Sequence, residues 1–198
     1  MRKTVLAVPI LVLSAVLYAA TAYNIFDEEI EKEGTYHYSY PTDGTSQIRT
    51  TNIENHSGNY SMKVTLNPSG YSGAAIGNYP PMDLAPYRET GALEFWIKGE
   101  RGGEKCEVLL LDDSNEDGMK TESGVFIVPK YVTVTRDWQK VSIPLKEFPD
   151  DGQYWDGAKN VKNRIDWNAI VEFKIAIRPY DKNREFTVFI DDVKIVTQ

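Results

Sequence analysis

Residues 171–195 read VEFKIAIRPY (171–180), DKNRE (181–185) and FTVFIDDVKI (186–195). In the first part Val171, Phe173, Ile175 and Ile177 alternate with Glu172, Lys174, Ala176 and Arg178; in the last, Phe186, Val188 and Ile190 repeat the pattern. Period-two alternation on both sides of a polar turn predicts a β-hairpin with one face in a core. Asp191 and Asp192 then interrupt the final strand where its pattern requires buried neighbours. A carboxylate taken out of water needs a cation, a metal or several N–H donors. The other reading is that the pair ends the strand and faces water.

The same alternation recurs upstream. Leu93, Phe95 and Ile97 point one way in 92–98 and Glu94, Trp96 and Lys98 the other; Tyr60, Met62, Val64 and Leu66 alternate with Ser61, Lys63 and Thr65. Residues 106–111 (CEVLLL) are apolar on both faces, as in a central strand covered on each side. Segments 46–53, 71–77, 125–128, 131–135 and 138–145 read as further strands. In 35–40 Tyr36, Tyr38 and Tyr40 share one side, either lining a groove or packing on a neighbour. Residues 78–89, with three prolines, read as an irregular crossing, 150–163 as a long polar loop, and 166–169 as one helical turn. Roughly ten short strands with almost no helix predict an all-β, two-sheet β-sandwich forming one domain.

The first 22 residues stand apart: a basic start at Arg2 and Lys3, an apolar run over 5–17, and Ala20-Thr21-Ala22 in small-x-small form. They read as a secretory signal cleaved after Ala22, giving a secreted or periplasmic protein, with an uncleaved anchor as the alternative. The chain from Tyr23 onward carries 20 Lys and Arg against 29 Asp and Glu, a formal charge of −9. An acidic chain without a basic cluster argues against nucleic acid and anionic membrane as partners. Cys106 is the single cysteine, in an apolar run, so no disulfide framework exists and a buried core thiol is expected.

Four stretches in order, NHSGNYSMKV (55–64), GALEFWIKG (91–99), WQKVSIPLKEF (138–148) and FTVFIDDVKI (186–195), resemble carbohydrate-binding modules with a galactose-binding-like jelly roll, the kind attached to bacterial cellulases and xylanases. The resemblance spans nearly all of the chain after the signal. It implies a jelly roll, a structural Ca²⁺ and non-catalytic binding of polysaccharide. In the family an acidic residue just after the first strand's Phe pairs with the first Asp of the terminal strand. Here this matches Asp27 after Phe26, with Glu28 as neighbour, and Asp191 with Asp192 beside it. Carbonyl ligands from the turn before the SGNYSMKV strand match Asn55 and the residues up to Gly58. Hard oxygen ligands from such distant segments suit Ca²⁺. Separately, 113–118 (DSNEDG) places Asp113, Asn115 and Asp117 as the first half of a calcium loop. Gly124 stands where the closing Glu belongs, and Glu122 comes two residues early, so an acidic hairpin turn is the competing reading.

Saccharide sites combine aromatic platforms with a few polar side chains. Opposite the core-facing residues stand Trp96, Tyr131 and Arg178, which would share one outer face if their strands share a sheet. Tyr154 and Trp155 in the long loop, and Tyr180 in the hairpin turn, would wall one end. Trp96 has an alternative beneath the 78–89 crossing, and Trp138 reads as a core lid. Only His37 and His56 are present, without spacing to a nucleophile, so the expectation is a monomeric module that is not an enzyme. It would bind a β-glucan or related plant polysaccharide. The alternatives are a protein-binding adaptor, or a small lyase using Arg178, Tyr131 and His37.

Overall fold

The computed structural model describes residues 20–113, 119–178 and 186–197. Residues 1–19 of the expected signal, Tyr180 with 181–185, and 114–118 of the acidic stretch lie outside them.

Alternating apolar positions build thirteen strands: β1 (Ala20–Phe26), β2 (Thr35–Tyr40), β3 (Gln47–Thr51), β4 (Ser61–Leu66), β5 (Ser72–Met82), β6 (Gly91–Gly99), β7 (Glu107–Asp112), β8 (Glu122–Phe126), β9 (Gln139–Pro144), β10 (Asp151–Trp155), β11 (Asn160–Arg164), β12 (Ile170–Ile177) and β13 (Phe186–Thr197). Short 3-10 turns at Ala85–Tyr87 and Leu145–Glu147 are the helical elements among the described residues. One sheet runs β3-β4-β13-β6-β9, with β1 also on β13; the other runs β11-β10-β8-β7-β12-β5-β2. Every pairing is antiparallel. The two-sheet sandwich expected from the strand pattern is therefore the fold.

The expected hairpin between β12 and β13 is not formed. β12 pairs with β5 and β7, whereas β13 pairs with β4, β6 and β1 in the facing sheet. Alternation only requires that each strand offer one apolar face, and two such faces can meet across a core as well as side by side. Here Phe173 of β12 meets Phe95 of β6 edge-on across the core, with ring centroids 5.6 Å apart. Each buried Phe, Leu or Ile between the sheets contributes about 1.5–3 kcal/mol relative to exposure.

β13 changes partners midway. Its first half pairs with β4, its second with β1, and β6 lies along the other side. The register shifts between Asp191 and Lys194, and Asp192 has a φ of 53°. This bulge inserts a residue, so Val188 and Ile190 before it and Val193 and Ile195 after it all face the core.

Two further expectations are corrected. Residues 131–135 are not a strand: Val132 and Val134 are buried, but the backbone bonds outside any ladder, Gly99 N–H to Thr135 O (2.7 Å) and Gly103 N–H to Val134 O (2.8 Å). The polar segment 150–163 is the β10–β11 hairpin rather than a loop. Its turn is closed by Asp156, whose Oδ1 accepts the N–H groups of Ala158 and Lys159, with Gly157 at a φ of 92°.

Candidate functional site

The outer face of the seven-stranded sheet carries its side chains in rows. One row crosses every strand: Tyr36, Gly77, Glu172, Leu111, Glu122, Gln153 and Lys162 stand opposite one another in turn. The next holds Tyr38, Ala75, Lys174, Leu109 and Gly124; the third holds Tyr40, Gly73, Ala176, Glu107 and Phe126. The small residues of β5 let the tyrosines of β2 lie flat across it. A Cβ on Gly77 would come within 2.1 Å of the Tyr36 ring, and one on Gly73 within 2.6 Å of the Tyr40 hydroxyl oxygen. The hydroxyls of Tyr36 and Tyr38 thereby reach over β5 to the Glu172 carboxylate on β12, at 2.7 and 2.8 Å. Tyr40 continues the pavement to Tyr71, ring centroids 5.7 Å apart.

Beneath and beside these rings the charges are paired. Glu172, fully buried, also accepts from Lys120. Lys174, 2% exposed, pairs with Glu122 and lies 5.0 and 5.6 Å from the centroids of Tyr40 and Tyr71. Arg178 bonds Glu107 at 3.3 Å and lies 5.7 Å from the Phe126 ring. Burial, reinforced by Glu172, pushes the Tyr36 and Tyr38 hydroxyls well above their ordinary range, so they remain neutral donors.

Burial also holds the Glu107 carboxyl above the usual carboxylate range, against the pull of Arg178. The native state then binds that proton more tightly than the unfolded chain. This contribution favours folding in acid and is lost as pH rises through the native pKa. Glu107→Gln removes the titration. Relative to this variant, the wild type is thus expected to be more stable, with a larger free energy of unfolding, at about pH 4 than at about pH 7. Urea titrations at both pH values measure it, and an unchanged difference would contradict the assignment.

Above this floor lie two adjoining hollows of about 710 and 600 Å³ that share Tyr71, Glu122, Gln153 and Arg178, so they form one cleft. The β10–β11 hairpin is its wall. It joins β8 through a single pairing, Gln153 with Glu122, and brings Tyr154 and Trp155 to the second hollow; Trp155 is 62% exposed.

Of the candidate ligand residues, Arg178, Tyr154 and Trp155 come together in this cleft. Trp96 and Tyr131 do not, because their segments do not share the sheet of Arg178. Trp96 lies on β6 of the other sheet, half-buried on its outer face, with the His56 ring stacked on it at 3.7 Å and Trp138 edge-on to His56 at 5.9 Å. The loop that covers it is 54–60 rather than the 78–89 crossing. Tyr131 sits in the irregular segment after β8, packed against the core with its hydroxyl buried. His37 alternates with Tyr36 and Tyr38 on β2 and so faces away from them; the suggested lyase trio does not converge. Cys106 is buried, its thiol pushed up to about 12 by desolvation. Sequence reasoning left the β2 tyrosines undecided and missed Tyr71, Phe126, Gln153, Asn160 and the Lys174–Glu122 pair. The glycine-spaced GAAIG of β5 beside a tyrosine strand was the available signal.

The proposed metal ligands lie at a different corner, where β13 bulges. Asp191, fully buried, accepts the N–H groups of His56 (2.8 Å) and Ser57 (3.1 Å) on Oδ2 and that of Asp192 (2.9 Å) on Oδ1. Asp192 accepts the Ser57 hydroxyl at 2.8 Å and lies 3.0 Å from His56 Nδ1. Glu28 accepts the N–H groups of Asn59 (3.0 Å) and Tyr60 (3.1 Å). Gly58 is required there, since a Cβ would fall 1.4 Å from Glu28 Oε1. Asp27 turns aside to Asn24 and its neighbour's N–H, and Asn55 donates to Gly58 O at 2.6 Å. The loop aims its N–H groups, not its carbonyls, at the acids, and no group of three His, Cys, Asp or Glu converges among the described residues. Asp113, at the start of the second acidic stretch, is buried and accepts the Tyr79 hydroxyl at 2.6 Å.

A paved aromatic cleft on one face of a two-sheet sandwich invites comparison with known proteins. Residues 22–197 match the family described as carbohydrate binding domain 30. The chain belongs to this family. It is a carbohydrate-binding module. Among solved structures this family 30 domain is similar to the family 30 carbohydrate-binding module of a cellulosomal cellulase of Clostridium thermocellum. The two are 24% identical with a TM-score of 0.69, and the match covers 88% of this chain and 96% of that one. A further family 30 module is 26% identical with a TM-score of 0.64, covering 87% and 99%. The family 11 module of Clostridium thermocellum, solved with a β-1,3-1,4-mixed-linked tetrasaccharide, shares the fold at 14% identity and a TM-score of 0.58, covering 87% and 94%. No curated protein matches the chain.

Proposed function

We propose that this domain binds a β-glucan or related plant polysaccharide in the cleft of the seven-stranded sheet, without cleaving it. The observation that carries the reading is the tyrosine pavement of Tyr38, Tyr40 and Tyr71 facing the Trp155 wall across one cleft. Rings supply apolar faces to pyranose C–H groups, and the surrounding polar side chains meet the hydroxyls. The β-1,3-1,4-mixed-linked tetrasaccharide in complex with the family 11 module supports a β-linked saccharide as the ligand. Calorimetry of the domain against soluble β-glucans, xylans and mannans tests it. Binding to a β-glucan is the expected result, and no heat with any polymer would overturn the proposal.

The proposal extends to export through residues 1–22. Cleavage after Ala22 would remove the Ala20 and Thr21 pairings with β13 and leave Tyr23 to Phe26 as the strand. A structural Ca²⁺ at the β13 bulge is a separate proposal that rests on the family resemblance. It requires Glu28, Asp191 and Asp192 to exchange N–H donors for an ion. If calcium is structural, a chelator lowers the melting temperature and added Ca²⁺ restores it. If the hydrogen bonds described above are the native arrangement, neither moves it.

A further inference from the structure

Most polar groups of the cleft floor are spent on one another, and two that are not, the Tyr40 hydroxyl and Glu107 Oε1, are buried away from solvent. Tyr36 and Tyr38 engage Glu172, Lys174 engages Glu122, and Arg178 engages Glu107. The hairpin wall is the opposite case. Gln153 lines both hollows and Asn160 lines the second. Neither carboxamide has a hydrogen-bond partner among the described residues; Asn160 is exposed and Gln153 half-buried. Two other polar side chains of the same hairpin are engaged: Asn163 donates to Thr121 Oγ1 at 2.9 Å, and Asp156 closes the turn.

Their placement is ordered. Asn160 stands directly opposite Trp155 across the hairpin, and Gln153 two residues before Trp155 stands opposite Lys162. Residues spaced by two along a strand share a face, and directly opposed ones lie about 5 Å apart at Cβ. A sugar ring resting on Trp155 therefore has both amides beside it. Ring stacking does not distinguish an axial from an equatorial hydroxyl; a hydrogen bond does, because the wrong epimer leaves a polar group unpaired. A carboxamide has one acceptor oxygen and two N–H donors, which match neighbouring hydroxyls that each donate and accept. Being uncharged, it suits a neutral sugar.

We infer that Gln153, with Asn160 beside it, is the specificity-determining residue of the cleft and reads the hydroxyl pattern of a neutral pyranose stacked on Trp155. The inference rests on the saccharide-binding reading above. Its test is calorimetry of the wild type, Gln153→Leu and Asn160→Ala with a soluble β-glucan and a soluble β-mannan, whose C2 hydroxyls point in opposite senses. Gln153→Leu is expected to lower affinity for the preferred polymer about tenfold and for the other less than about twofold, so that the preference collapses. Asn160→Ala acts in the same direction, and neither variant shifts the melting temperature. Equal losses for both polymers, or no loss, would overturn the role of Gln153 while leaving the cleft as the binding site. A wild type that binds neither polymer would instead remove the saccharide reading itself.

Discussion

Replacing Glu122 with alanine is expected to destabilise the domain by about 3–5 kcal/mol. Lys174 is 2% exposed and has Glu122 as its carboxylate partner. Without that carboxylate an ammonium group is left under Tyr40 and Tyr71, and ring faces 5.0 and 5.6 Å away compensate only a fraction of its lost hydration. Adding Lys174→Met to the same chain should restore most of the loss, since an unpaired buried charge costs far more than an apolar side chain of similar volume. Urea unfolding of the wild type, both single variants and the double variant closes the cycle. A loss below about 1 kcal/mol for Glu122→Ala would show that Lys174 finds water or another acid, and would remove the pair as a support of the pavement.

Trp155→Ala is expected to weaken polysaccharide binding about thirtyfold, roughly 2 kcal/mol, with the melting temperature unchanged. The ring is 62% exposed on the hairpin wall, so it contributes little to the core and is available to a ligand. Trp96→Ala makes the contrasting control. That ring lies under His56 on the opposite sheet, and its removal should lower stability while leaving affinity intact. If Trp96→Ala rather than Trp155→Ala abolishes binding, the site is on the wrong face.

Much of the architecture is legible in residue spacing. The alternations around Met62, Phe95, Phe173 and Val188 place those side chains in the core, and CEVLLL announces a strand covered on both sides, which β7 is, with Leu109 and Leu111 beneath the cleft. What spacing does not contain is partner choice. β12 and β13 alternate in a way that suits a hairpin equally well, and only their packing against β5, β7, β4 and β6 separates them into two sheets. The same limit misplaced Trp96 beside Arg178: parity says which residues face outward, but not from which sheet. The β10–β11 hairpin went unseen because no residue of its strands is buried and they carry no core alternation. The Asp156-Gly157 turn was its one local mark.

By itself the sequence determined an acidic chain, an all-β sandwich, and a carboxylate in the last strand that needed satisfaction if buried. These follow from composition and from period-two burial, which are local properties. The tertiary structure decided the rest: that the carboxylate of Asp191 is met by N–H groups of 54–60, and that the cleft floor is built by tyrosines lying over glycines of a neighbouring strand. It also decided that a polar hairpin folds over to wall that face. Each of these depends on which residues from distant segments stand opposite one another, and register between strands is set by how two faces pack, not by the order of residues along either one.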